Sequence, residues 1–155
     1  MAISAGTINW YYSALHYLWT GRIDVDSDTF VMGLSTSSYT PNQSLHSLLA
    51  HITNELSGNG YARQTLTGVA VAPDGSPWTA TQAFQCDDPE FEADGGNLVA
   101  RWWWIYDDTP TSPADPLLCY GLLDETPADV TTLDGNLLTF EINAAGLLEL
   151  EAPEV

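Results

Sequence analysis

The side chains best suited to chemistry in this sequence are scattered, and their spacing argues against a catalytic centre. His16, His46 and His51 are the only histidines. His46 and His51 fall on one expected helix but five residues apart, which places them on different faces, where a paired metal site wants three or four. No G-x-S-x-G element supplies a nucleophile for a histidine base. Asp24, Asp26 and Asp28 form a D-x-D-x-D pattern like the opening of a calcium loop. It fails where Thr29 replaces the loop glycine and Ser35 replaces the bidentate glutamate. The pattern then reads as a solvated turn before a strand. Asp87, Asp88, Glu90, Glu92 and Asp94 make a second acidic run, which reads as a loop flanking a strand. Paired carboxylates of glycosidase type abound, and nothing singles one pair out. Cys86 and Cys119 match no zinc spacing. They read as free, mostly buried thiols of a reducing compartment, with a disulfide as the alternative. No enzyme activity and no cofactor are expected.

Trp102-Trp103-Trp104 is the unusual cluster. In a strand Trp103 points opposite to Trp102 and Trp104. Either one face enters the core and the other offers aromatic surface to a partner, or both faces are buried. Trp102, Trp103 and Trp104 are the candidate partner-binding residues, since an outer-face aromatic is an interface signal and can also stack on sugar.

Composition limits the partners. The net charge is −18, with no lysine and only Arg22, Arg63 and Arg101 as cations. Three dispersed arginines cannot track a phosphate backbone, so no direct nucleic-acid binding is expected. The same charge repels anionic membranes, and no apolar run approaches a membrane span. An acidic surface of halophilic origin would give the same balance. The N-terminus lacks a secretory signal pattern, which predicts cytoplasmic synthesis. A length of 155 residues with 45% hydrophobic content suits one domain over 1–155. Such a domain buries about 70% of its extended-chain surface.

Two helices are expected first. Ile8, Tyr11, Tyr12, Leu15, Leu18 and Trp19 recur at helical spacing, after Thr7 as N-cap and before Gly21 as the stop. Their aromatic stripe is expected in the core. In the second helix Thr40 caps, Pro41 opens the first turn and Gln43 completes a capping box. Leu45, Leu48, Leu49 and Ile52 then share a face, and the helix ends near Asn54. Between the helices, Phe30, Met32 and Leu34 predict a strand over 29–34 with one buried face. Further strands are expected over 61–71, 78–86, 98–106, 117–123, 137–142 and 147–150. The connecting segments carry turn chemistry: Pro73-Asp74-Gly75, 94–97, 110–116 and Asp134-Gly135-Asn136. Asp134-Gly135 and Ala145-Gly146 suggest hairpin reversals. Residues 152–155 read as a loose end. The fold class is α+β: an antiparallel sheet or β-sandwich with two helices of the N-terminal half packed on it.

Three blocks in order, G-x-I-D-x-x-x-D-T at Gly21–Thr29, S-S-Y-T-P-N-Q at Ser37–Gln43 and N-E-x-S-G-x-G-Y at Asn54–Tyr61, resemble a family of small virion proteins of tailed phages. Ala100-Arg101 with Ile105-Tyr106 resembles a later strand of that family. Asp134-Gly135-Asn136 with Asn143-Ala144-Ala145-Gly146 resembles its C-terminal ending. The resemblance covers most of the chain; the triple tryptophan and the lack of lysine depart from the family. It implies a structural protein without catalytic residues, with head-decoration and tail assignments both in use. The expected function is capsid decoration: a symmetric oligomer on the outer surface of the head, bound to the major capsid protein. The alternatives are a tail-tip or fibre-associated protein, or a carbohydrate-binding module built on Trp102 or Trp104.

Overall fold

The apolar runs become strands, and the central ones are buried on both faces. The computed structural model describes residues 1–4, 6–72, 81–144 and 146–151. In chain order the described elements are β1 (Ala2–Ser4), β2 (Ile8–Trp10), α1 (Tyr12–Trp19), β3 (Phe30–Ser35), β4 (Gln64–Thr65), β5 (Ala70–Ala72), β6 (Thr81–Gln85), β7 (Glu90–Glu92), β8 (Leu98–Ala100), β9 (Trp102–Asp107), β10 (Leu117–Leu122), β11 (Val130–Thr132), β12 (Leu137–Glu141) and β13 (Leu148–Glu151). The central sheet runs β2-β10-β9-β3-β4 and is antiparallel throughout. Smaller sheets run β1-β12-β7, β13-β6-β5 and β11-β8. Of these pairings only β1 with β12 is parallel. The fold is β-rich, with several antiparallel sheets and one α-helix among the described residues.

The two-helix expectation is therefore corrected. Ile8–Trp10 pair with β10, and the Tyr11 amide donates to the Leu118 carbonyl at 3.1 Å. Tyr11 is extended, so Thr7 caps nothing and α1 starts at Tyr12. Its end is as expected: Gly21 sits at φ 64°, a conformation glycine enters without steric cost.

The second helix does not form. Asn42 outcompetes Thr40: its Oδ1 accepts the Ser44 and Leu45 amides, each at 3.1 Å, and the Ser44 hydroxyl at 3.0 Å. One turn follows, and then Leu48 becomes extended and bridges Pro116. Leu49 N–H donates to the Asp115 carbonyl at 2.8 Å, and Leu117 N–H to the Ser47 carbonyl at 3.0 Å. Pairing with a distant segment has overridden a local helix signal. Only a 3-10 turn, Leu49–His51, remains. Thr40 is exposed, and Thr40→Ala is expected to leave stability within about 0.5 kcal/mol of wild type. Asn42→Ala should cost about 1 kcal/mol by stranding those donors; urea unfolding of both variants measures the difference.

The one-faced expectation for β3 is also corrected: all six of its residues are buried. Phe30, Met32 and Leu34 join a main core with Phe84, Phe91 and Phe140. Val31 enters a second cluster with Tyr11, Tyr39, Trp104, Tyr106, Leu117 and Tyr120. The polar segment after β3 folds back and covers this second face, bringing Leu49 and Ile52 onto it.

The strand expected over 61–71 splits into β4 and β5, and that over 98–106 splits into β8 and β9. β1, β2, β7 and β11 were not expected as strands. Asp134-Gly135-Asn136 turns, with Gly135 at φ 77°, but it joins strands of different sheets and closes no hairpin. Instead Asp134 Oδ1 accepts the Gly95 and Gly96 amides at 2.8 and 3.1 Å. The Pro73-Asp74-Gly75 turn, Trp78–Ala80, Ala145 and Ala152–Val155 lie outside the described residues.

Candidate interaction surface

The triple tryptophan alternates as its strand demands. Trp103 lies in the main core, its ring 5.1 Å from Phe140. Trp104 lies on the opposite side, in the second cluster. Each indole covers a glycine on the neighbouring strand, Trp103 over Gly121 and Trp104 over Gly33. Trp104 Nε1 donates to Ser35 Oγ at 3.0 Å, and the Arg63 guanidinium stands 5.5 Å from its ring. Arg63 in turn makes a two-pronged contact with Glu55, both bonds at 2.7 Å. Trp103 and Trp104 are fully buried, so the expected aromatic outer face of β9 is covered by its own chain. Trp102 alone is partly exposed. It borders a cleft of about 210 Å³ with Tyr120, Asn9, Thr7, Leu122 and Glu125.

Among the described residues the strongly exposed aromatics lie elsewhere. On α1, Tyr12 is 59%, Leu15 37% and Trp19 89% exposed. At 100° per residue these three fall within one narrow stripe. Ala14 is buried opposite them, and Leu18 packs on the main core. Helical periodicity puts Tyr12, Leu15 and Trp19 in the core with Tyr11 and Leu18; the structure corrects this, since Tyr11 and Leu18 face inward while Tyr12, Leu15 and Trp19 face out. The missed signal was a short helix with six apolar residues in eight and only Ser13 and His16 polar, too many for one buried face, where an ordinary surface helix carries more polar residues outside. Leu45, 72% exposed, stands on the Asn42 turn, whose Gln43 carbonyl accepts the Tyr12 amide at 3.0 Å. No carboxylate lies in Tyr12–Trp19, although the chain has 21 acidic residues. This stripe is apolar and nearly uncharged on an otherwise acidic molecule.

The histidines meet against expectation. Without the second helix, His46 and His51 stack with ring centres 5.9 Å apart. Tyr39 hydroxyl lies 2.8 Å from the Tyr11 hydroxyl and 3.0 Å from His46 Nδ1. His51 Nδ1 accepts the Ser47 and Leu48 amides at 3.1 and 3.2 Å. Burial pushes the Tyr39 hydroxyl up to about 12 and Tyr11 higher still. Burial, then the neighbouring His51, holds His46 below the ordinary imidazole value. Tyr11, Tyr39 and His46 are each driven toward the neutral form, which suits a hydrogen-bonded strut under the second core and does not activate a nucleophile.

That shift has a sign. A histidine with a depressed folded value contributes stability above the unfolded value, about 6.5, and loses it as pH falls below that. His46→Gln should therefore lose less stability than wild type between pH 7.5 and pH 5. Parallel stability-versus-pH curves for the two proteins would remove His46 from this role.

The acidic runs mostly organise backbone. Asp24 Oδ1 accepts the Asp26 amide at 3.1 Å, and Asp28 Oδ2 the Asp24 amide at 2.7 Å. Asp87 accepts the Thr67 hydroxyl and Asp88 the Ile142 amide. Among the described residues no three of His, Cys, Asp or Glu converge as a metal cage. Cys86 and Cys119 are free thiols. Burial, aided by Asp87 and Asp88, pushes the Cys86 thiol up to about 12, away from the reactive thiolate.

Comparison with known proteins finds no family model, no curated protein and no solved structure that matches this chain.

Proposed function

We propose that this chain is a non-catalytic structural protein of a phage virion, a decoration or cement protein that docks on the outside of the head through α1. The observation that carries the reading is the stripe of Tyr12, Leu15 and Trp19, large apolar side chains held in water on a rigid element. Exposed aromatics of this kind are the usual anchors of a protein interface. The resembling blocks support the same reading, because they build the fold: Gly21–Thr29 is the turn into β3, and the segments 37–43 and 54–61 flank the stretch that covers the second core. A chain of net charge −18 is poorly suited to line a DNA-filled interior and well suited to an exterior. Neighbours on the particle would be the major capsid protein and further copies of this chain.

Quantitative mass spectrometry of purified virions tests the location. A copy number comparable to the major capsid protein is expected. A few copies per particle would move the protein to the tail, and its absence from virions would overturn the reading.

The Trp102 cleft favours a second reading, carbohydrate binding. Trp102 and Tyr120 rings lie 6.1 Å apart, and Asn9, Thr7 and Glu125 line the same cleft. An aromatic wall with amide and hydroxyl groups suits a neutral sugar. A glycan array that shows binding by wild type and loss in Trp102→Ala would establish it.

A further inference from the structure

Asp107 ends β9 beside the start of β3, opposite Phe30. Among the described residues it is the one fully buried carboxylate. Its Oδ1 accepts the Thr109 amide at 2.9 Å, while its Oδ2 has no hydrogen-bond donor. The half-buried Asp28 carboxylate stands against it, brought there by the strand ends: the Asp108 amide donates to the Thr29 carbonyl at 2.8 Å, and the Thr29 amide to Thr109 Oγ1 at 2.7 Å. No protein cation is at hand to match this pair. The chain has no lysine, Arg63 and Arg101 are engaged with Glu55 and Asp129, and Arg22 is exposed. Two adjoining carboxylates with an unpartnered buried oxygen are costly unless a proton or a metal ion joins them.

We propose that Asp28 and Asp107 bind a Ca²⁺ ion that ties the turn before β3 to the end of β9. The D-x-D-x-D pattern contributes through Asp28, and the ligand that the sequence pattern lacks comes from a different strand. Asp107 Oδ2 and Asp28 Oδ1 are the oxygens not already accepting the Thr109 and Asp24 amides. The other two carboxylate oxygens keep a second lone pair, and water completes a shell of six to eight. Ca²⁺ tolerates such irregular, partly aqueous geometry; Mg²⁺ demands a near-ideal octahedron. A proton is the competitor near neutrality: burial pushes the Asp107 carboxyl up to about 7, with the Thr109 amide opposing and Asp28 adding to the rise.

Thermal unfolding at pH 7.5 in CaCl₂, MgCl₂ and NaCl of matched ionic strength tests the site. Wild type should show a saturable rise in midpoint with Ca²⁺, about 3–6 °C at ten times the dissociation constant. Mg²⁺ should do less. Asp28→Asn and Asp107→Asn should lose the rise, and Glu92→Gln on β7 should keep it. If Asp107→Asn fails to fold, the half-buried Asp28 variant and calorimetric titration of wild type with CaCl₂ still decide. A Ca²⁺ effect no larger than that of NaCl, or one that survives in Asp28→Asn, overturns the proposal. Stabilisation by acid alone, with no heat of Ca²⁺ binding, would assign the pair to a shared proton and overturn it equally.

Discussion

Trp104→Ala should destabilise the protein by about 3–5 kcal/mol, the range for emptying a large buried aromatic site. The indole is fully buried and belongs to the second core. Its removal opens a void above Gly33, strands Ser35 Oγ, and takes from Arg63 one of the two rings it lies over, leaving Tyr106 at 5.6 Å. Collapse cannot heal the void cheaply, because the facing residue has no side chain to move in. The converse change makes the same point: Gly33→Ala drives a methyl group into the Trp104 ring, and overpacking of that kind costs about 1–3 kcal/mol. Urea unfolding measures both. A loss below about 1 kcal/mol for Trp104→Ala would mean that the second core is not a real store of stability.

Trp19→Ala should have the opposite profile. At 89% exposure the side chain contributes little to folding, so stability should stay within about 0.5 kcal/mol of wild type. Docking should weaken by at least about 2 kcal/mol, roughly thirtyfold, as for a central aromatic anchor. Tyr12→Ala and Leu15→Ala should weaken it by smaller amounts. Rebinding to particles stripped of the protein is the measurement, with Leu137→Ala on β12, 43% exposed, as a surface control. Unchanged rebinding by the Trp19 variant would take α1 out of the interface.

The contrast between these two tryptophans shows where sequence reading succeeds and where it stops. Strand alternation placed Trp103 opposite Trp104 correctly, because a pleat of period two is a local property. What covers the second face is not local. Trp104 shares its cluster with Tyr11, placed by the pairing of β2 with β10, and with Leu49 and Ile52, brought over as the chain near Leu48 pairs with Pro116. The same distant pairing dissolved the second helix, although Thr40-Pro41-Asn42-Gln43 carries good capping chemistry. Asn42, two residues on, is at least as good a cap as Thr40, and the Pro41 and Gln43 signals that favour Thr40 are local ones that the distant pairing overrides. Losing that helix also brought His46 and His51 together. The strands at 81–85, 117–122 and 137–141 were legible from their apolar runs. β7 and β11 were not, being three residues each and largely polar. The outward stripe of α1 was visible as residues and misassigned as environment: periodicity finds an apolar face without saying whether the chain itself covers it.

The central claim is that this chain is held on a virion head by the apolar face of α1. A density map of the particle, with the chain fitted, tests it most directly. The account predicts many symmetry-related copies on the outer capsid surface, with Tyr12, Leu15 and Trp19 of each covered by a capsid subunit or a neighbouring copy. A map in which the chain is placed with those three side chains facing solvent, or a particle that lacks the chain, would contradict it.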